Sequence, residues 1–124
     1  MDRFPDDTLE AFATVRQIEV ENVGRRTGTL RRTTIWVVVH AGVPYVRSEY
    51  GDAGQWYRNA LAHPRITVHV AGRRLEADVT RVDDPDLWHA VSDAFRTKYG
   101  ASSSVDVMVH SQVEPMTLAL APAG

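Results

Sequence analysis

The sequence predicts an α+β fold that is mainly β, with an antiparallel sheet or small barrel of roughly six strands and two or three helices packed outside it. The first observation is that short polar turns, rather than long crossovers, separate the apolar segments. The second is that strands and helices do not alternate in the βαβ rhythm that a parallel sheet requires. Hairpin connections therefore dominate the predicted topology.

The predicted strands differ in how their two faces are covered. Residues 16–23 alternate apolar and polar side chains, which is typical of a half-buried strand. Residues 30–40 begin in the same way, but 35–39 are continuously apolar, which favours a central barrel strand or a strand at a subunit interface. Ala41-Gly42 predicts a tight hairpin after it. The remaining strands are predicted at 43–48, 65–71, 74–82 and 116–120.

The clearest helix is predicted over 85–99. Asp84 is suited to be its N-cap, Pro85 to be its first residue and Gly100 to be the residue that ends it. A shorter helix, capped by Asp6 or Asp7, is expected near the start of the chain, and another from about Ala53 to Ala62. The segment 101–104 is predicted to be a flexible polar loop.

The composition indicates one ordinary globular domain over residues 1–124. The chain is 44% hydrophobic and 24% charged, with a net charge of -2. Such a balance provides no broad basic field for nucleic acid or an anionic membrane, so neither partner is expected. Cysteine is absent, and no apolar run approaches the roughly 20 residues that span a bilayer. The expected location is the cytoplasm.

The stretch 31–59 contains the groups that suit a bound anion. Arg31 and Arg32 open a strand together with Thr33 and Thr34, and the next strand ends at Arg47-Ser48. A glycine-flanked loop, 51–54, then leads into a helix whose N-terminus presents unpaired N–H groups. These features predict a site for a phosphorylated ligand. The alternatives are a solvated strand start for Arg31 and Arg32, and a surface ion pair with Glu49 for Arg47.

Other kinds of site find little support in the sequence. The five histidines show no metal-ligand spacing, and a zinc site needs three or four converging ligands. No nucleophile elbow, Walker loop or dinucleotide-binding fingerprint is present. No metal is therefore expected, and metal-dependent hydrolysis is set aside.

The order of these elements resembles the pyridoxamine-phosphate-oxidase-like split β-barrel superfamily of FMN-binding oxidases and deazaflavin-dependent reductases. The resemblance covers about residues 16–120, and its most specific segment is WYRNALAHPRITV, residues 56–68. Within the superfamily, the chain looks most like a small bacterial family of unknown function. The resemblance implies a six-stranded split barrel, a homodimer, and FMN or a deazaflavin coenzyme in a groove between the subunits.

Matching the family position by position implies a set of cofactor-binding residues. Arg31 matches the arginine that opens the phosphate-contacting strand, and Gln55 with Trp56 falls near a pair that is basic in the FMN oxidases. Trp36 stands where those oxidases have a lysine. The complete implied set is Arg31, Thr33, Thr34, Ile35, Trp36, Arg47, Ser48, Gly54, Gln55, Trp56 and Arg58.

Two functions follow as hypotheses. In the first, the protein is an oxidoreductase in which a flavin-type cofactor carries out hydride transfer, so that no side chain is required as acid or base. In the second, the same fold serves as a non-catalytic module that binds a small ligand. Fold alone does not decide between them.

Overall fold

The computed structural model of the protein describes residues 3–24, 26–49, 51 and 54–123. The helices are α1 (Asp6–Thr14), α2 (Gln55–Ala62), α3 (Pro85–Tyr99) and α4 (Ser103–Met108). The strands are β1 (Ile18–Val23), β2 (Leu30–Ile35), β3 (Val38–His40), β4 (Val43–Arg47), β5 (Arg65–Val70), β6 (Arg73–Arg81) and β7 (Thr117–Pro122). The seven strands form one antiparallel sheet in the order β2-β1-β5-β6-β7-β4-β3.

The sheet is curled, because two strands that are adjacent in sequence lie at its opposite edges. β2 pairs with β1, whereas β3 pairs with β4, and only Trp36 and Val37 separate β2 from β3. A connection of two residues can join the two edges only if they approach each other. The prediction of one strand over 30–40 is therefore corrected to two strands with a break at Trp36, which is why seven strands replace six.

The core fills the inside of this curled sheet. Valines of the central strands are buried there together with Phe12 of α1 and Trp56 of α2. A second apolar cluster lies beneath α3 and includes Phe95 and Met108. Asn22 of β1 is buried, and its side-chain amide donates to the Trp56 carbonyl oxygen at 2.9 Å, so α2 is attached to the sheet by a specific hydrogen bond.

Several local predictions are confirmed and others need correction. Asp84 caps α3 by accepting from the Asp86 N–H at 3.0 Å, and Gly100 ends it with φ of 79°. α1 is not capped by an aspartate, because Asp6 is already helical and Pro5 is the N-cap. The predicted start of α2 at Ala53 lies outside the described residues.

The segment after α3 is also different from the predicted loop. Ser103 and Ser104 form the first turn of α4, and the Ser102 hydroxyl caps that helix by accepting from the Val105 N–H at 3.2 Å. A serine-rich stretch predicts a loop, but serine is also a favoured N-cap residue, and in this segment Ser102 begins a helix. The longest helix of the described residues is α3, which is amphipathic. No described helix is long and apolar enough to cross a bilayer.

Candidate functional site

A pocket of about 260 Å³ opens where β2, α2 and the end of β4 meet. Its lining residues come from the segment before β1, from β2 and the break that follows it, from the end of β4 and the segment after it, and from two helices. They are Gln17, Thr33, Thr34, Ile35, Trp36, Arg47, Glu49, Trp56, Ser104 and Met108. Two tryptophans, two threonines and a carboxylate thus share one concave surface, which is the kind of surface that holds a small ligand.

The pocket brings together a subset of the residues implied by the resemblance. Those that line it are Thr33, Thr34, Ile35, Trp36, Arg47 and Trp56. The others, Arg31, Ser48, Gly54, Gln55 and Arg58, are not among its lining residues. None of these placements shows a bound cofactor, so each residue's role at a ligand stays a prediction.

Arg47 is used inside the protein rather than on the surface. Its side chain is 1% exposed, and its guanidinium donates to the Thr117 and Ser92 hydroxyls and to the Met108 and Trp88 carbonyl oxygens at 2.6–2.9 Å. Burial lowers the pKa of Arg47 to about 10, while the nearby Glu114 carboxylate opposes this shift. The alternative of a surface pair with Glu49 is therefore wrong, and at most one guanidinium N–H is left for a ligand.

The interior network around Arg47 includes a serine, a glutamate and a histidine, but not in a catalytic order. The Ser92 hydroxyl donates to the Glu114 carboxylate at 2.7 Å and accepts from Arg47 at 2.8 Å. His89 lies on the far side of Glu114, at 3.7 Å, and its side chain is 69% exposed. A hydrolytic triad needs the histidine to take the serine proton. Here the Ser92 hydroxyl donates its hydrogen bond to Glu114 and not to His89, and Ser92 is buried, so the cluster does not have the arrangement of a hydrolytic triad.

The side chain of Trp36 is held by α3. Its ring stacks on the Tyr99 ring with centroids 4.0 Å apart and planes 5° apart. The Tyr99 hydroxyl donates to the Arg16 carbonyl oxygen at 2.6 Å and accepts from the Val37 N–H at 3.2 Å. The neighbouring Lys98 donates to the carbonyl oxygens of Val37 at 2.6 Å and Phe12 at 3.0 Å. Residues of α3 thus bind the backbone at the break between β2 and β3.

Ser48 and Gly54 lie against each other at the N-terminus of α2. Ser48 is fully buried, and its hydroxyl has no hydrogen-bond partner in the described part of the protein. Gly54 is the N-cap residue of α2, and a Cβ at this position would overlap the Ser48 hydroxyl oxygen. Most buried polar groups are hydrogen-bonded, so an unused hydroxyl beside a helix N-terminus indicates an incomplete site.

The outer cations of this region have different surroundings. Arg32 pairs with Glu19 at 3.0 Å, on the face of β2 that points away from the core. Arg31 is exposed, and it lies on the same face as Thr33 and Ile35 because side chains alternate along a strand. Arg58 is exposed on α2, and Gln55 is exposed at its first residue. Arg31 is therefore on the face that α2 covers, outside the lining of the pocket.

Sequence reasoning missed the lining residues Gln17, Glu49, Ser104 and Met108. The register of β1 and β2 pairs Ile18 with Ile35, which brings Gln17 beside Trp36. That proximity could have been found by extending the predicted hairpin to its far end. Ser104 and Met108 lie four residues apart on one face of α4, and the loop prediction for 101–104 concealed them. Within the described residues, no group of three metal-ligating side chains is found.

The curled sheet with helices outside it is the split β-barrel of the pyridoxamine-phosphate-oxidase-like class, as comparison with solved structures shows. The heme storage protein HutZ from Vibrio cholerae is similar over 98% of this chain and 92% of its own, with a TM-score of 0.73 and 14% identity. An F420 reductase is similar over 98% of this chain and 97% of its own, with a TM-score of 0.63 and 17% identity. The F420-H2-dependent reductase FDR-A is similar over 86% of this chain and 93% of its own, with a TM-score of 0.61 and 15% identity.

At such low identities these structures establish the fold alone. Within that class, the chain belongs to the family described as uncharacterized protein conserved in bacteria (DUF2255), whose model matches residues 8–120. The resemblance inferred from sequence is thereby confirmed for fold and family. A search of curated proteins finds no match.

Proposed function

We propose that the protein is an oxidoreductase that binds a flavin-type coenzyme, a deazaflavin or FMN, in the pocket between β2 and α2. One observation carries the proposal. Residues from two separate parts of the predicted binding stretch, Thr33 to Trp36 at the end of β2 and Trp56 on α2, line the same pocket. They are separated by twenty positions in sequence, and nothing but the fold requires them to meet.

The residues present fit both ends of such a coenzyme. Trp36 and Trp56 supply aromatic surface for a planar ring system, with the threonine hydroxyls as hydrogen-bonding groups beside it. For the phosphate, the N-terminus of α2 offers the positive end of the helix macrodipole, and the buried Ser48 hydroxyl beside it has no partner among the described residues. Arg31, exposed on the same face of β2 as Thr33, would add a charge-assisted hydrogen bond to the phosphate.

The bound coenzyme would supply hydride transfer, and the chain would supply binding, orientation and exclusion of water. The tryptophans and Ile35 form apolar walls that keep water from one side of a ring. Glu49 contributes a carboxylate that accepts hydrogen bonds from ring N–H groups. Arg47 maintains the floor of the pocket through its interior hydrogen bonds.

A deazaflavin is the first choice of coenzyme. The FMN oxidases that the sequence resembles have a basic pair near the position of Gln55 and Trp56, and this chain lacks it. The loss of two cations lowers the expected affinity for the FMN phosphate. Two structures of similar fold are titled as F420-dependent or F420 reductases, which also supports a deazaflavin.

We also propose that the active form is a homodimer that covers the pocket. β2 is an edge strand of the sheet, and Leu30 at its start is 66% exposed. An uncovered edge strand with an exposed apolar side chain is suited to contact a second copy. Light scattering should give about twice the monomer mass of 13.8 kDa. A monomer at all concentrations would exclude a pocket shared between subunits.

The deciding experiment is a titration of the purified protein with F420, FMN and hemin, followed by absorbance and thermal shift, because a ligand of the native state raises apparent stability. Binding of F420 or FMN together with reduction by a hydride donor supports the oxidoreductase. Binding of hemin alone would favour the non-catalytic ligand-binding module, as the similar fold of a heme storage protein suggests. If neither F420 nor FMN binds at tens of micromolar, the oxidoreductase is excluded.

A further inference from the structure

The ring of Trp36 forms part of the pocket wall, and a second aromatic ring lies behind it. Trp36 lines the pocket, whereas Tyr99 does not, so the stacked Tyr99 ring contacts the indole from outside the pocket. Phe95 continues the stack, with its ring centroid 6.0 Å from that of Tyr99, and the buried Arg47 guanidinium lies 5.3 Å from the Phe95 ring. Three rings and one guanidinium thus form a column behind the pocket, and both of its end residues, Trp36 and Arg47, line the pocket.

The column has a clear structural need, because Trp36 occupies the break between β2 and β3. At that break the backbone of Val37 has left the hydrogen-bond ladder of the sheet. Unpaired backbone groups are costly when buried. The Tyr99 hydroxyl accepts from the Val37 N–H, and Lys98 donates to the Val37 carbonyl oxygen. Two consecutive residues of α3 therefore replace the missing sheet partners and fix the backbone that carries Trp36.

We infer that Tyr99 is a positioning residue that holds Trp36 as a flat wall, so that the pocket selects a planar aromatic ring with N–H donors at its edge. This inference rests on the proposed function, since it describes how the same pocket recognises the ring of its ligand. The preference for N–H donors follows from the polar lining. Ionised Glu49 can only accept, and Arg47, the one cation among the described lining residues, already donates inside the protein. The other polar groups of the lining, on Gln17, Thr33, Thr34 and Ser104, can donate or accept. The charged groups therefore give the lining its preference for a donor on the ligand.

The test uses two probes that differ in shape. Lumichrome is a flat tricyclic ring with N–H donors and no phosphate, and 1-adamantanol is a compact apolar probe without a flat face. In the wild-type protein, lumichrome should bind and 1-adamantanol should bind much more weakly. Tyr99→Leu removes the ring behind Trp36, and it should weaken lumichrome binding by about 3- to 10-fold, in line with the strength of aromatic stacking. Its effect on 1-adamantanol should be small, so the selectivity for the flat probe falls.

Two variants separate positioning from general loss of structure. Tyr99→Phe keeps the ring but removes the hydroxyl, so it should lose thermal stability while its selectivity for lumichrome stays close to that of the wild type. Phe4→Leu removes an aromatic contact of another ring pair, Phe4 with Phe12 at 5.3 Å, away from the pocket. It should lower stability and leave lumichrome affinity unchanged. A column that only stabilises the fold would give equal selectivity in all three variants.

The outcomes for this inference and for the proposed function are distinct. If F420 or FMN binds but Tyr99→Leu retains wild-type selectivity, the positioning role is overturned while the coenzyme proposal survives. If neither coenzyme binds, but lumichrome does and depends on Tyr99, the positioning role is upheld and the coenzyme proposal fails. Failure of lumichrome to bind the wild-type protein overturns the inference.

Discussion

Arg47 and Arg31 are the same residue type in the same predicted binding stretch, yet the structure gives them opposite surroundings. Arg47 is buried, and four of its guanidinium hydrogen bonds go to protein oxygens. Arg31 is exposed on the edge strand β2. Its side chain makes no hydrogen bond or ion pair with the described residues. The first arginine lines the pocket with most of its donors already used, and the second is exposed and lies outside the pocket lining.

The contrast shows what decides between a structural and a ligand-binding arginine. A guanidinium has five N–H donors in a fixed fork, and each donor that a protein oxygen takes is lost to a ligand. Most N–H donors of Arg47 are hydrogen-bonded to protein oxygens, whereas the donors of Arg31 are available for a bidentate contact. Ser48 belongs with Arg31 in this respect, since its hydroxyl is buried without a partner in the described residues. Unused polar capacity, rather than residue type alone, is therefore the criterion by which we propose ligand-binding groups.

Replacement of Arg47 should have the largest effect on folding. Arg47→Ala leaves two hydroxyls and two carbonyl oxygens without their donor and removes the cation that faces Glu114. We expect the free energy of unfolding to fall by about 3–5 kcal/mol, as when a buried charge loses its partner. Denaturant titration followed by circular dichroism measures the change. Arg65→Ala, which removes an exposed pair with Asp78, is the control and should cost less than about 1 kcal/mol.

If Arg47→Ala proved as mild as Arg65→Ala, the guanidinium would not be structural, and Arg47 would return to the candidate ligand-binding groups. The control is matched in residue type and in the loss of a carboxylate interaction. It differs in exposure and in its partners, because Arg65 pairs with a carboxylate at the surface and Arg47 donates to four oxygens in the interior.

Gly54→Ala should have the next largest effect, through steric overlap with Ser48. A Cβ at this position would overlap the Ser48 hydroxyl oxygen but lie at an ordinary distance, 3.5 Å, from the Ser48 Cβ. We expect a loss of about 1–3 kcal/mol in the free energy of unfolding, as for overpacking of a buried site. In the Ser48→Ala background the same substitution should cost much less, which a double-mutant cycle measures.

Ser48→Ala alone sharpens the contrast, because removal of an unpaired buried hydroxyl should leave stability unchanged or slightly raised. If the variant instead lost more than about 1 kcal/mol, the hydroxyl would have a structural partner, and its assignment to the ligand site would fail. Equal costs of Gly54→Ala in both backgrounds would show that the overlap is not the cause.

Arg31→Ala should affect ligand binding and leave folding intact. We expect the affinity for whichever coenzyme binds to fall by about 1–3 kcal/mol if Arg31 pairs with a phosphate. The free energy of unfolding should change by no more than about 0.5 kcal/mol, because the side chain is exposed. Arg32→Ala is the matched control. It removes an adjacent arginine on the other face of β2, where it pairs with Glu19. Equal affinities for the two variants would remove Arg31 from the site.

The fold was predictable because its signals are local. Alternation in 16–23 and the hairpin turn at Ala41-Gly42 each follow from a few neighbouring residues, and the structure confirms both. The break at Trp36 was not predictable, since a continuous apolar run looks the same whether it forms one strand or bends between two sheet edges. What breaks it is tertiary, namely the hydrogen bonds that Tyr99 and Lys98 make with Val37 more than sixty positions away.

The candidate site was predictable in part for the same reason. Thr33 and Thr34 were found from the pattern of their strand and Trp56 from the resemblance to the family, and all three line the pocket. The interior hydrogen bonds of Arg47 could not be predicted, because its partners Ser92, Met108 and Thr117 are distant in sequence and have no pattern of their own. Residue type predicts which groups can bind, while only the assembled fold shows which of them remain available.

Lys98 is a cation whose burial lies between that of Arg47 and that of Arg31, and it tests whether hydrogen bonds inside the protein decide the state of a cation. It is half-buried, it donates to two backbone carbonyl oxygens, and burial lowers its pKa from 10.5 to about 8. The unfolded chain therefore binds more protons than the native protein between these two pH values, so the free energy of unfolding should rise with pH across that window. Between pH 7 and pH 9 the rise from this one group is about 1 kcal/mol. Denaturant titrations of the wild type and Lys98→Met at both pH values measure it as the difference in pH dependence. If the two proteins show the same pH dependence, Lys98 stays fully charged in the native protein, and its two carbonyl hydrogen bonds outweigh its burial.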